Sequence, residues 1–224
     1  MNQRLVRNFF IAGASAGLAA LIGCSAMRTP GTPTTFFITS ANPGKGGDLG
    51  GLAGADALCE RLALAAGISA RNWRAYLSTQ ASGGAAAVNA RDRIGNGPWL
   101  NARGVVVAQN LAELHGTNNL NKETALTETG AVVPARPDPE TKHDIMTGSQ
   151  PDGTAMPPGK DATCSNWTSS NEGGAMVGHH NRAGTNPDPV AKVSWNSSHI
   201  TPGCSMPALA QVGGAGLLYC FAVR

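Results

Sequence analysis

Five cysteines set the strongest limit on how this chain folds, because each must belong to a disulfide, a metal site, a lipid anchor or a free thiol. They stand at positions 24, 59, 164, 204 and 220 of the 224 residues. No two of them form a CxxC pair, so the zinc-ribbon and thioredoxin-like interpretations are weak. An odd number leaves one cysteine over. In an exported protein the other four would form two disulfides, with three pairings open.

The N-terminal segment predicts export. Arg4 and Arg7 precede an apolar run over residues 9–23, which ends in a small residue before Cys24. A basic start, a short apolar stretch and small residues at the end are typical of a secretory signal peptide. A retained transmembrane helix, the alternative, needs about 20 apolar residues, and this run is shorter and interrupted by glycines. We therefore expect a signal peptide over residues 1–23.

The end of that segment, Leu21-Ile22-Gly23-Cys24, resembles the lipobox of bacterial lipoproteins. The resemblance implies that Cys24 is lipidated and becomes the first mature residue. It also implies outer-membrane sorting, because Ser25 stands where an Asp would favour retention in the inner membrane. Residues 24–33 then form a lipidated tether, and residues 34–224 form the exported domain. Whether the domain faces the periplasm or the cell surface stays open.

Charge and composition exclude a nucleic-acid partner. The signal removes Arg4 and Arg7, so 15 basic residues face 14 acidic ones in the rest of the chain. A nearly neutral chain without basic clusters lacks the electrostatic footprint of DNA or RNA binding. The 29 glycines and 14 prolines predict long, turn-rich connections around a modest core.

Hydrophobic patterning predicts a mixed α+β domain. Apolar residues over 51–66 recur at intervals of three and four, which indicates one amphipathic helix that carries Cys59 on its buried face. Residues 217–223 give the strongest strand signal, which we expect in the centre of a sheet. Residues 117–139 show little periodicity and are expected to be loop. The other predicted strands span 34–39, 73–78, 104–107, 143–147, 164–170, 175–179 and 193–196.

Several segments, in this order, resemble the endostatin domain of collagens. They are GDLGGLAGAD (47–56), WRAYLS (73–78), RDR (91–93), PWLN (98–101), TGSQPDG (147–153), CSNW (164–167), Cys204 and YC (219–220). The resemblance extends over about 70% of the mature chain. The resemblance implies a C-type-lectin-like fold of the endostatin type with long loops. It also implies two nested disulfides, Cys59 with Cys220 and Cys164 with Cys204.

The lectin-like fold suggests a calcium site. Sugar-binding C-type lectins hold calcium with a Gln-Pro-Asp or Glu-Pro-Asn triplet and a Trp-Asn-Asp triplet, and calcium prefers such oxygen ligands. Gln150, Asp152, Trp195 and Asn196 occupy the corresponding positions, so they are candidate ligand-binding residues. Ser197 departs from the pattern by replacing a carboxylate. The simpler alternative is that Pro151-Asp152-Gly153 is an ordinary turn.

A zinc site is the second candidate. His143, Asp144 and His199 could join either His179 or His180, because imidazole and carboxylate suit zinc. His179 and His180 are adjacent, so on a strand they face opposite sides and cannot both bind one ion. Endostatin's own zinc histidines do not carry over, because no histidine lies between residues 34 and 67. Histidines outside a site are otherwise polar surface or satisfied core groups.

The remaining patterns favour a binding protein over an enzyme. The chain contains no nucleophile-elbow pattern and no phosphate-binding loop. Trp99, Trp167 and Trp195 could line a groove, although core packing is the expectation for Trp167. We expect a non-catalytic outer-membrane lipoprotein that binds a glycan or an envelope or host-surface protein, with no obligatory cofactor. The alternatives are a structural envelope lipoprotein without a small ligand and a zinc-dependent enzyme.

Overall fold

A computed structural model of the chain describes Met1 and residues 34–69 and 72–223. The predicted lipidation site, Cys24, lies outside the described residues. The strands are β1 (Phe36–Ile38), β2 (Asn72–Ala75), β3 (Trp99–Leu100), β4 (Val106–Ala108), β5 (Asp144–Met146), β6 (Met176–His179), β7 (His199–Ile200) and β8 (Gly214–Val223). The helical segments are α1 (Gly51–Ala65), α2 (Leu111–Leu114), α3 (Cys164–Trp167), α4 (Pro189–Lys192) and α5 (Met206–Gln211), with a 3₁₀ turn over Ala90–Arg93. The domain is therefore mixed α+β.

The C-terminal strand β8 organises the main sheet. Its strand order is β1-β8-β5-β6-β7, and β2 also pairs with β8. Both β1 and β2 run antiparallel to β8, whereas β5 runs parallel to it. The sequence prediction that the last strand is central is confirmed. Pairing of β5 with β8, of β6 with β5 and of β7 with β6 places these three strands side by side at one edge of the sheet.

Both faces of this sheet are covered, which explains why its strands are apolar without alternation. Phe36, Tyr219 and Phe221 point into one buried cluster, and Phe37 and Cys220 point into another. Tryptophans join both clusters. Trp99 and Trp195 lie in the cluster of Phe36, and Trp73 and Trp167 lie in the cluster of Phe37. The expected core position of Trp167 is confirmed, since it is fully buried.

Two disulfides fasten the cluster that contains Phe37 and Cys220. Cys59 on α1 bonds Cys220 on β8, and Cys164 bonds Cys204. This is the nested pairing that the endostatin resemblance implied. All four cysteines are inaccessible to solvent. The first bond ties the predicted core helix to the central strand, so two elements 161 residues apart are linked covalently.

Two predicted strands are wrong. Residues 164–170 do not form a strand, because residues 164–167 all have positive φ, between 47° and 69°. Side chains hold this left-handed turn: Asp161 accepts a hydrogen bond from the Ser165 amide, and Asn166 exchanges two hydrogen bonds with the backbone of Gln80. Residues 193–196 also form no strand, because they follow directly on α4, whose first turn is capped by Asp188.

The connection between α2 and β5 contains no helix or strand, so the loop expected over residues 117–139 is confirmed. It is ordered by its own polar side chains, such as Asn121, whose Oδ1 accepts from the amides of Glu123 and Thr124. Within the described ranges, no helix is long and apolar enough to cross a bilayer.

Candidate functional site

Three histidines form part of the lining of an open recess at the β7 end of the sheet. The recess has a volume of about 850 Å³, within the range of roughly 300–1,000 Å³ of small-molecule sites. His143, His179 and His199 face it. The rest of the lining comes from two loops, within residues 136–141 and 183–187, and from the end of α5 with the turn that follows it, residues 210–213. Arg136 and Gln211 supply polar side chains to this lining.

Strand register assembles the cluster behind this recess. Asp144 on β5 pairs directly with His179 on β6, so their side chains emerge on the same face. His199 on β7 pairs with Val177, which lies two residues before His179 and therefore also on that face. His143 immediately precedes β5. Three of the four residues thus come from neighbouring strands and the fourth from the position before β5. No contiguous metal-binding motif in the sequence announces their convergence.

The carboxylate of Asp144 is the centre of the cluster. Its Oδ1 lies 3.2 Å from the Nε2 atoms of both His143 and His179, and its Oδ2 lies 3.3 Å from Nε2 of His199. The Asp144 side chain is fully buried, whereas the His199 side chain is 28% exposed. None of the three contacts has hydrogen-bond geometry, and neither carboxylate oxygen has another hydrogen-bond partner among the described residues.

Outer partners fix the rings of two of these histidines. Nδ1 of His179 lies 3.0 Å from the carbonyl oxygen of Lys192. Nδ1 of His143 lies 3.0 Å from Oδ1 of Asn181, an oxygen that also accepts from the Ala183 amide. A carbonyl or amide oxygen can only accept, so each Nδ1 carries the proton. In the neutral ring, Nε2 is then the unprotonated nitrogen, and in both rings it lies beside Asp144.

Burial and the neighbouring polar groups shift the pKa values of this cluster in opposite directions. Burial raises the pKa of Asp144, but the imidazoles of His179 and His199 outweigh it and hold that pKa below the ordinary value. The same carboxylate raises the pKa of His199. Burial lowers the pKa of His143 despite Asp144 beside it. The site therefore holds an ionised carboxylate that attracts a cation.

Two glycines allow the rings to sit where they do. A Cβ on Gly184 would lie 2.2 Å from Cε1 of His179. A Cβ on Gly213 would lie 3.1 Å from Cδ2 of His143, and Gly213 has a φ of +95°. The rings of His143 and His179 stack in parallel, with centroids 4.5 Å apart. Sequence reasoning missed both glycines, because close approach is visible only once the loops are placed.

The structure brings together all four residues that the sequence suggested for zinc. His180 lies outside the cluster, as expected for the neighbour of His179 on a strand. It is fully buried, and neither ring nitrogen has a hydrogen-bond partner in the described chain. This burial lowers the pKa of His180 to about 3, so the ring is neutral at physiological pH.

The residues suggested for calcium lie together in a different place. Asn196 is buried and donates to Tyr76 Oη and to the carbonyl oxygens of Gln150 and Pro151. Asp152 accepts from the amide and hydroxyl of Thr154. These bonds close the Gln-Pro-Asp turn onto the core, which is the simpler interpretation of the motif.

The other two residues suggested for calcium, Gln150 and Trp195, also make their contacts within the domain. The Gln150 side chain donates to the carbonyl oxygen of Ala155. Trp195 packs between Tyr76 and Tyr219 and is only 3% exposed. The structure therefore assigns Trp195 to the core and not to a surface that a ligand could reach.

Comparison with known proteins adds no family to this picture: no protein-family model and no curated protein matches the chain.

Proposed function

We propose that this chain is a non-catalytic lipoprotein of the bacterial outer membrane that binds a polar ligand in the histidine-lined recess. The ligand class is a glycan or a polar group of an envelope or host-surface protein. A C-type-lectin-like fold of the endostatin type is part of the proposal. Its support is the ordered series of sequence motifs, together with a mixed α+β domain that has the two nested disulfides.

The recess is the observation that carries the proposal. Its volume suits a small sugar, and its lining combines amide, hydroxyl and imidazole groups, which exchange hydrogen bonds with hydroxylated ligands. The lining is formed largely by loops around a rigid sheet end, which is the usual place for specificity to reside. A purely structural lipoprotein has no need of such a recess.

A zinc-dependent hydrolase is the second candidate, favoured by imidazoles at the base of the recess. Hydrolysis at zinc commonly uses a carboxylate as general base beside the ion, as the Glu of the HExxH motif does. The described recess lining contains no Asp or Glu, and Asp144 lies beneath the histidines instead. We therefore favour binding over catalysis.

The test uses the full-length lipoprotein in detergent and a glycan array. Thr185 is exposed and lines the recess, so Thr185→Trp fills it without touching the core. Ala65→Trp on the exposed side of α1 is the matched control. We expect wild type and Ala65→Trp to bind the same glycans and Thr185→Trp to lose them. Equal binding by both variants, or no glycan bound by wild type, would refute the recess as a glycan site.

A further inference from the structure

We propose that His143, Asp144, His179 and His199 bind one divalent transition-metal ion of the zinc class at the base of the recess. The inference goes beyond the proposed ligand binding, because the ion would bind whether or not a glycan does. It is carried by the donors, their spacing and their outer partners.

The hydrogen bonds of His143 and His179 show which ring nitrogen of each is free to bind a metal ion. His143 and His179 both use Nδ1–H to donate to oxygen, so in their neutral rings Nε2, 3.2 Å from Asp144 Oδ1, is the unprotonated nitrogen. Unprotonated nitrogens this close to a carboxylate oxygen repel it unless a positive charge lies near them. A metal ion supplies that charge and accepts all three donor atoms.

The spacing favours a metal over protons. A hydrogen bond from an imidazolium to a carboxylate is typically about 2.7–2.9 Å long. Two ligands at about 2.05 Å from a tetrahedral zinc ion are instead separated by about 3.3 Å. The three separations in the cluster are 3.2, 3.2 and 3.3 Å. All three are long for charge-assisted hydrogen bonds. The two to Oδ1 match the edge of a zinc coordination tetrahedron, whereas the third joins His199 to Oδ2.

Burial makes a cation necessary. The carboxylate of Asp144 is inaccessible to solvent, and neither oxygen has a hydrogen-bond partner in the described chain. A buried ionised carboxylate is stable only when it is paired or coordinates a metal. One ligand atom from each of His143, Asp144 and His179 already lies within 4.8 Å of the others, and Nε2 of His199 adjoins the second oxygen.

The outer partners have the arrangement of a metal site. Metal-binding histidines almost always donate their other N–H to a carbonyl, carboxylate or water, which fixes the ring. The Lys192 carbonyl and the Asn181 side chain have this role for His179 and His143. In the rest of the chain, the Nδ1 of His115 makes a similar bond to Leu111, but its Nε2 meets the hydroxyl of Tyr76. His115 therefore has no free donor atom.

The donor set selects the class of ion. Three imidazoles and one carboxylate suit zinc, copper, iron or nickel, whereas calcium and magnesium require oxygen ligands. Because the rings of His143 and His179 are parallel, their lone pairs lie in parallel planes. One ring must therefore turn for both to reach one ion. All three histidines line the recess, so the ion would be reached from that side.

The test measures binding of Zn²⁺ alone to the EDTA-treated, dialysed full-length protein by titration calorimetry. Visible absorption of Co²⁺ serves as a second readout of coordination geometry. We expect one ion per chain and a Co²⁺ spectrum of tetrahedral type. Asn181→Ala removes the oxygen that holds the His143 ring and should weaken Zn²⁺ binding by about 10–100-fold. His199→Gln removes a proposed ligand and should weaken Zn²⁺ binding more. His115→Gln, a histidine outside the cluster, should bind like wild type.

Several results would overturn the proposal. One is the absence of saturable Zn²⁺ binding by wild type, which would mean that protons balance Asp144. Another is wild-type affinity in both His199→Gln and His179→Gln. Because the His199 side chain is partly exposed, its variant should fold even if His179→Gln does not, and circular dichroism checks this. If Zn²⁺ binding fails while the glycan array stays positive, the recess function stands without the metal.

Discussion

Removing the two disulfides separately tests how the long-range closure of this chain stabilises it. The perturbations are the double variants Cys59→Ala with Cys220→Ala, and Cys164→Ala with Cys204→Ala. Alanine suits these buried positions, because it adds no polar group to the core. Each variant keeps the other disulfide intact.

The expected cost follows from the length of chain that each bond closes. In the chain-entropy model, the bond stabilises by restricting the unfolded chain, and the effect grows with the logarithm of loop length. Separations of 161 and 40 residues give about 5 and about 4 kcal/mol of unfolding free energy. The fourfold difference in length therefore produces a difference of only about 1 kcal/mol.

Nesting changes these values little. The inner bond shortens the outer loop by about 40 residues, which reduces the outer contribution by about 0.2 kcal/mol. Together the two bonds then contribute about 9 kcal/mol, comparable to the whole stability of an ordinary domain, about 5–15 kcal/mol. The variant without either bond should be largely unfolded at 25 °C.

Urea unfolding under non-reducing conditions, followed by far-ultraviolet circular dichroism, measures these differences. The slope against urea should rise in each variant, because the freed unfolded chain exposes more surface. A loss below about 1 kcal/mol for either pair, or a clearly larger loss for the 40-residue loop, would refute the loop-entropy reasoning. The stability of this domain would then arise from packing alone.

Three further substitutions test local interactions. Asp56→Ala removes the partner of Arg93, a largely buried cation held at 2.7 Å, and should lower the unfolding free energy in urea by about 3 kcal/mol. Gly184→Ala places a Cβ against the buried ring of His179 and should cost about 1–3 kcal/mol by overpacking. His180→Leu should flatten the acid side of the pH–stability curve. The folded pKa of about 3 lies below the ordinary value of 6.5, so wild type loses stability as pH falls through that window. The loss is about 1.4 kcal/mol per pH unit.

Matched controls accompany these substitutions. Glu140→Ala breaks an exposed pair with Lys142 and should cost under about 1 kcal/mol; an equal loss for Asp56→Ala would contradict the buried-pair argument. Gly203→Ala, whose new Cβ would meet Ala208 Cβ at 3.1 Å, should be milder than Gly184→Ala. Parallel pH curves for wild type and His180→Leu between pH 6.5 and 4.5 would show that His180 does not bear the linkage.

Local patterns in the sequence determined the elements whose residues carry their own signal. The apolar spacing over 51–66 predicted helix α1, and the apolar run at the C-terminus predicted the central strand β8. Both predictions hold because a helix with one buried face and a fully buried strand each leave a hydrophobic pattern in neighbouring residues. The disulfide pairing came from resemblance to a family and not from spacing, which left three pairings open.

Tertiary contacts decided the segments that the sequence misassigned. Residues 164–167 have strand-forming neighbours, yet they adopt a left-handed turn. Asp161, three positions earlier, and Gln80, far away in sequence, supply the hydrogen bonds that hold it. Such a turn is unfavourable for residues with a Cβ, so it forms only where fixed surroundings compensate for it.

The candidate site shows the same division. The sequence identified His143, Asp144, His179 and His199 as a chemically suitable set, because imidazole and carboxylate are recognisable in any chain. It could not show that they meet. Their convergence depends on the register of β5, β6 and β7, and on Gly184 and Gly213, which leave room for the rings. Residue chemistry is a local property, whereas register and close approach arise only when distant strands pair.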